Sequence, residues 1–135
     1  AGILLTSLSS CDKETVLSEA DIPEEITEYI ETHFPDNKII QIVKDVEGFT
    51  KTYEVFLQGD FWLEFNRQKE IIDIEGRTEL PASVIPTKIA EYVNETFPDN
   101  FILEWELERK KQKVGLDNDI DIEFDLDGDF IRIDD

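Results

Sequence analysis

The tetrapeptide Phe-Pro-Asp-Asn stands at Phe34–Asn37 and again at Phe97–Asn100, 63 residues later in a chain of 135. It is the end of a longer repeat. Ile22–Asn37 and Ile85–Asn100 are identical at nine of sixteen positions with no gap. In each copy apolar residues recur at helical spacing: Ile22, Ile26, Tyr29, Ile30 and Phe34, then Ile85, Ile89, Tyr92, Val93 and Phe97. Pro23 and Pro86 suit a helix start, where a missing N–H costs nothing. Pro35 and Pro98 end each helix, because the residue before a proline avoids the α region. Asp-Asn then supplies a turn. A chain this short therefore has to fold as one unit used twice.

After each helix the apolar period changes from helical to alternating. Ile39–Lys44, Tyr53–Leu57, Phe61–Phe65 and Ile71–Ile74 answer to Ile102–Leu107, Gln112–Leu116, Ile120–Phe124 and Phe130–Ile133. Beyond the first hairpin the offset drops to 59, so the second unit has lost four residues in that loop. Glu47-Gly48, Gln58-Gly59, Asp117-Asn118 and Asp127-Gly128 mark hairpin turns. The expected fold class is α+β: a tandem duplication of a helix plus a four-stranded antiparallel meander. The two meanders are expected to join into one eight-stranded sheet with both helices on one face. Repeat one is residues 21–76 and repeat two is 77–135, with Arg77–Ser83 as the link. A unit of about 55 residues buries little on its own, so 21–135 is expected to be one compact domain.

Strand parity assigns the faces. Tyr53, Val55, Leu57, Leu63, Phe65, Ile72 and Ile74 should lie under the helices, with Val114, Leu116, Ile122, Phe124, Ile131 and Ile133 in repeat two. Ile40, Ile42, Leu103 and Trp105 are expected to join them. The other face of repeat two reads Glu104, Glu106, Lys113, Asp121, Glu123 and Arg132, with Phe130 as its apolar break. In repeat one it carries Val43, Phe56, Trp62 and Ile71 among Gln41, Glu54, Glu64 and Asp73. Large apolar side chains on an uncovered face suggest a contact site. The alternative is that loops or the N-terminal segment cover them, or that the sheet curls over them.

Charge narrows the partners. Thirty-three acidic residues against 13 basic give a net charge of −20. Nucleic acid and anionic lipid both require clustered Lys and Arg, so neither is an expected ligand of a face of this protein. Basic protein surfaces and divalent cations are compatible. Catalytic groups are scarce. His33 is the single histidine, at a helix end, where it complements the dipole. Without a second histidine, and with one cysteine, Ser-His and Cys-His sites cannot be assembled. None of the six glycines forms a phosphate cradle. The chain reads as a binder and not as an enzyme. The run Asp121, Glu123, Asp125, Asp127, Asp129 resembles a calcium loop loosely, but apolar residues alternate with the acids as in a strand, and Asp127-Gly128 is explained as a turn. Calcium is the one cofactor it suggests, and a cation-sensing envelope protein is the alternative function.

The N-terminus reads as an address. Residues 1–10 resemble the tail of a secretory signal peptide. Leu8-Ser9-Ser10-Cys11 is similar to a bacterial lipobox, which would make Cys11 a lipid-bearing first mature residue and place the chain in a Gram-negative cell envelope, periplasmic or surface-exposed. Cys11 is the sole cysteine, so disulfides within the chain are excluded; the plain alternative is an idle cysteine. Residues 11–20 are expected to be a flexible tether. Lys13-Glu14 after it resembles the surface-export signal of Bacteroidetes lipoproteins.

The duplicated layout resembles the PepSY-like family, also described as β-lactamase-inhibitor-like. The resemblance is carried by Leu80-Pro81, by Val84 through Tyr92-Val93 to Phe97-Pro98, by the Phe124–Asp129 hairpin, and by their counterparts in repeat one. It spans about residues 21–135. Repeat one departs from it with Asn66–Glu70 where repeat two has Asp-Gly. The resemblance implies secretion, no catalytic residues, and a sheet face that grips a protein or peptide, with inhibition of a secreted hydrolase as one outcome.

Overall fold

The computed structural model of the chain describes residues 12–134. The signal-like residues and Cys11 lie outside that range. Each Phe-Pro-Asp-Asn does the same three things. In helix α1 (Glu24–His33) and helix α2 (Thr87–Thr96), the N–H of Phe34 and of Phe97 donates to the carbonyls of Ile30 and Val93, at 2.7 and 2.8 Å, and closes the helix. The N–H of Asn37 and of Asn100 then donates to the carbonyls of Phe34 and Phe97, both at 3.1 Å, and closes the turn. Finally the asparagine side chain reaches across to a hairpin. Asn37 Nδ2 donates to the Gln58 carbonyl at 2.9 Å, and Asn100 Nδ2 donates to Asp117 Oδ1 at 3.0 Å. The repeated motif is thus a brace between helix exit and sheet.

Among the described residues, nine strands follow one another in a single antiparallel sheet whose spatial order is the sequence order. They are β1 (Asp12–Val16), β2 (Ile39–Glu47), β3 (Thr50–Leu57), β4 (Phe61–Phe65), β5 (Ile71–Glu75), β6 (Ile102–Leu107), β7 (Lys111–Leu116), β8 (Asp121–Asp125) and β9 (Phe130–Asp134). Eight of them are the strands expected. The ninth, β1, corrects the reading of residues 11–20 as a flexible tether: Val16 pairs with Val43 and Glu14 with Asp45 on the edge of β2. That short run lacks an apolar period, and only the unpaired edge of β2 gives it a partner. The repeats join at β5–β6, through Asp73–Glu106, Ile74–Trp105 and Glu75–Glu104.

Both helices share one core with one face of the sheet. Ile26, Ile30, Ile89 and Val93 are buried with Val55, Leu63, Ile74, Val114, Ile122 and Phe124. The repeats pack alike. Tyr29 meets Phe65 edge-on at 5.4 Å, and Tyr92 meets Phe124 edge-on at 5.5 Å. No helix among the described residues is long and apolar enough to cross a membrane.

Two bulges, each present in both repeats, revise the face assignments. The first lies between Ile39 and Gln41 and between Ile102 and Glu104. It turns Ile40 outward, 66% exposed, while Ile39 packs on the core. The second lies where Phe65 faces Ile71 and Phe124 faces Phe130. An extra residue flips every side chain beyond it. Ile71 therefore packs against the core, and Ile72 is left between two pairs. Phe130 likewise belongs to the helix side, stacked on Tyr92 at 4.8 Å. Ile131, expected under the helices, is left between two pairs like Ile72 and is 47% exposed, while Ile133 pairs with Ile122 and is 39% exposed on the edge strand β9.

Candidate functional site

The helix-free face is ordered into cross-strand rows. One row runs Val16, Val43, Glu54, Glu64, Asp73, Glu106, Lys113, Glu123, Arg132 from β1 to β9. Beside it runs a second: Gln41, Phe56, Trp62, Glu75, Glu104, Gly115, Asp121, Asp134. Of the four apolar residues expected there, Val43, Phe56 and Trp62 are in place and half-buried. Ile71 is not, because of the second bulge. Phe56 and Trp62 are direct cross-strand neighbours and border a hollow that also takes in Ile40 and Arg77.

Acids crowd the middle of the face. Burial, then the charges of Glu75, Glu106, Glu104 and Glu64, push Asp73 up to about 8. Its Oδ1 is buried and has no hydrogen-bond partner. Burial followed by neighbouring carboxylates also raises Glu64 and Glu104. Glu54 rises for the same reasons, first burial and then Asp45, with a hydrogen bond from Trp62 in opposition. Such a surface stores repulsion that a cation would relieve.

Among the described residues, two groups of three carboxylates converge closely enough to share an ion, each with oxygens within 4.8 Å of one another: Asp73, Glu75 and Glu104, and Asp125, Asp127 and Asp129. The first lies at the seam between repeats. It adjoins a hollow of about 380 Å³ whose lining includes Glu75, Glu104, Gly115, Asp119 and Asp121. A side chain at 115 would fill part of it, since a Cβ there would meet Asp121 Oδ1 at 3.0 Å and Glu104 Oε1 at 3.1 Å. Glu104 lies 29 residues or more beyond Asp73 and Glu75, across the repeat junction, and only the strand register brings it to them. Comparing open-face positions on either side of that junction is the signal that could have exposed them.

The five acids expected as calcium ligands do not form one site. Glu123 is clamped by Lys111 at 3.2 Å and Arg132 at 3.3 Å. Asp121 faces the seam hollow. Asp125 Oδ1 accepts the N–H groups of Asp127 and Asp129, both at 2.9 Å, and Asp129 pairs with Lys88. His33 Nδ1 lies 2.8 Å from Ser83 Oγ and links α1 to the approach to α2.

The family described as "Putative beta-lactamase-inhibitor-like, PepSY-like" matches residues 9–73 and 51–132. Solved structures share the fold, among them three from Bacteroides. A Bacteroides vulgatus "putative periplasmic protein" of the DUF2874 family is 28% identical, with a TM-score of 0.85 over 91% of this chain and 98% of its own. A Bacteroides thetaiotaomicron protein described as a "putative calcium-regulated periplasmic protein" is 27% identical, with a TM-score of 0.86 over 90% and 97%. A second B. vulgatus "putative periplasmic protein of unknown function" is 27% identical, with a TM-score of 0.84 over 91% and 100%. Among curated proteins, none matches the chain.

Proposed function

The chain belongs to the PepSY-like family, and on that premise we propose that it works in the cell envelope as a non-catalytic binding protein whose helix-free sheet face is the contact surface. One observation carries the reading. Both helices and the core occupy one side of the sheet, while Val43, Phe56 and Trp62 sit on the other among carboxylates. A protein or peptide of the envelope or the cell exterior is the partner class, and inhibition of a secreted hydrolase is the form of contact that the family's description suggests. Lipid on Cys11 would hold the chain at a membrane. Trp62→Ala tests the surface: co-purification from native envelopes should recover a partner with the wild type and lose it with the variant. A partner retained by Trp62→Ala, or lost equally on changing exposed helix residues, refutes it.

A second reading is favoured by the seam. Asp73, Glu75 and Glu104 offer hard oxygen ligands, and a structural relative is described as calcium-regulated. Calcium bound there would raise the melting temperature, because a ligand of the native state stabilises it. Asp73→Asn should abolish that rise, and an undiminished rise would refute the site.

A further inference from the structure

The two repeats carry the same open-face row with opposite flanks. By the offset of 59, Glu64 corresponds to Glu123, Glu54 to Lys113, and Asp73 to Arg132. In repeat two the central glutamate is buried between Lys111 and Arg132. Burial pushes Glu123 up, but the Lys111 hydrogen bond and the Arg132 charge outweigh it and hold it below the usual range. In repeat one both flanking positions are acids. No ion pair among the described residues lies within 12–76. The register places no lysine or arginine on the open face of β2–β5; Arg77, in the inter-repeat link, borders the hollow beside Phe56 and Trp62. The cations that complete repeat two have no counterpart in repeat one.

From this asymmetry we infer that the repeat-one half of the face docks an arginine- and lysine-rich extended polypeptide segment. The inference rests on the open face being the contact surface and names the chemistry of its partner. The partner's cationic side chains supply to Glu54, Glu64 and Asp73 what Arg132 and Lys111 supply to Glu123. Phe56 and Trp62 stand in the adjacent row, where repeat two has Gly115 and Asp121, and offer ring faces to a guanidinium or to its stem. One metal ion cannot do this. Glu54 and Asp73 are two strand spacings apart, roughly 10 Å, whereas calcium holds its oxygens at about 2.3–2.6 Å. A calcium ion at the seam and a basic segment over β3–β5 are separate occupants.

The test uses the full chain and a decapeptide of alternating arginine and threonine, with a glutamate-threonine peptide and an alternating threonine-valine peptide as comparisons. Titration calorimetry should show binding of the arginine peptide, weakened by salt. Glu54→Lys with Asp73→Arg copies the repeat-two flanks and should weaken it roughly tenfold or more. Glu24→Lys with Glu31→Arg, an equal charge change on an exposed helix surface, should leave affinity within about twofold. Melting curves verify that both variants fold. Equal weakening by both pairs would mean that net charge alone attracts the peptide, and would overturn the inference. So would an arginine peptide that binds no tighter than the glutamate peptide. Binding of the threonine-valine peptide that disappears in Trp62→Ala but ignores the Glu54/Asp73 exchange would overturn the basic partner and leave the contact face standing. If neither Trp62→Ala nor the Glu54/Asp73 exchange weakens the binding of any peptide, the contact face itself falls.

Discussion

Asn66 and Asp125 hold equivalent turns with the same atom. Asn66 Oδ1 accepts the N–H groups of Gln68 and Glu70 at 2.9 and 3.0 Å, as Asp125 Oδ1 accepts those of Asp127 and Asp129. Lys69 and Gly128 follow at positive φ, 65° and 92°. The hairpins differ in sequence and agree in geometry. An amide oxygen suffices for the task, so Asp125→Asn should change stability by less than about 0.5 kcal/mol, whereas Asp125→Ala should cost about 1–2 kcal/mol by orphaning two N–H groups. Urea denaturation of the two variants checks this. A large loss with Asn would show that the negative charge, and with it a bound cation, matters at the turn.

Stability should depend on pH in an unusual direction around Asp73. The folded chain keeps its proton up to about 8, while the unfolded chain releases it in the usual carboxylate range. Between the two the unfolded state binds fewer protons, so stability falls as pH rises. Glu54, Glu64 and Glu104 shift the same way. Asp73→Asn keeps the shape without the titration. It should be more stable than the wild type at pH 8 and similar to it at about pH 4, measured by denaturant unfolding without divalent ions.

Phe34 and Phe97 share a motif but not an environment. Phe34 is 2% exposed and touches Phe61, while Phe97 is only partly buried. Phe34→Ala should cost about 3–5 kcal/mol. Phe97→Ala should cost clearly less, and equal losses would contradict the packing.

The bulges make a further pair of expectations. Ile40→Ser, at an exposed position, should alter stability by less than about 0.5 kcal/mol. Ile71→Ala, which removes a side chain packed on the core, should cost about 1–2 kcal/mol. The opposite order would restore the unbroken alternation.

The order of elements was legible in the sequence because it depends on local chemistry. Helical spacing from Ile22 to Phe34, proline stops, and alternation through Tyr53–Leu57 each act over a few residues, and the repeat supplied every signal twice. The open-face positions of Phe56 and Trp62 followed from the same alternation. What tertiary structure decided is everything beyond a bulge or across the seam. One unpaired residue at Ile72 reverses parity without leaving a mark on the apolar pattern, so Ile71 and Phe130 turned toward the helices. Strand β1 forms because the edge of β2 offers it hydrogen bonds, and the meeting of Asp73 and Glu75 with Glu104 exists only because β5 pairs with β6. Local preferences are set by neighbours in the chain; register and edges are set by which strand arrives alongside, and that is a property of the assembled sheet.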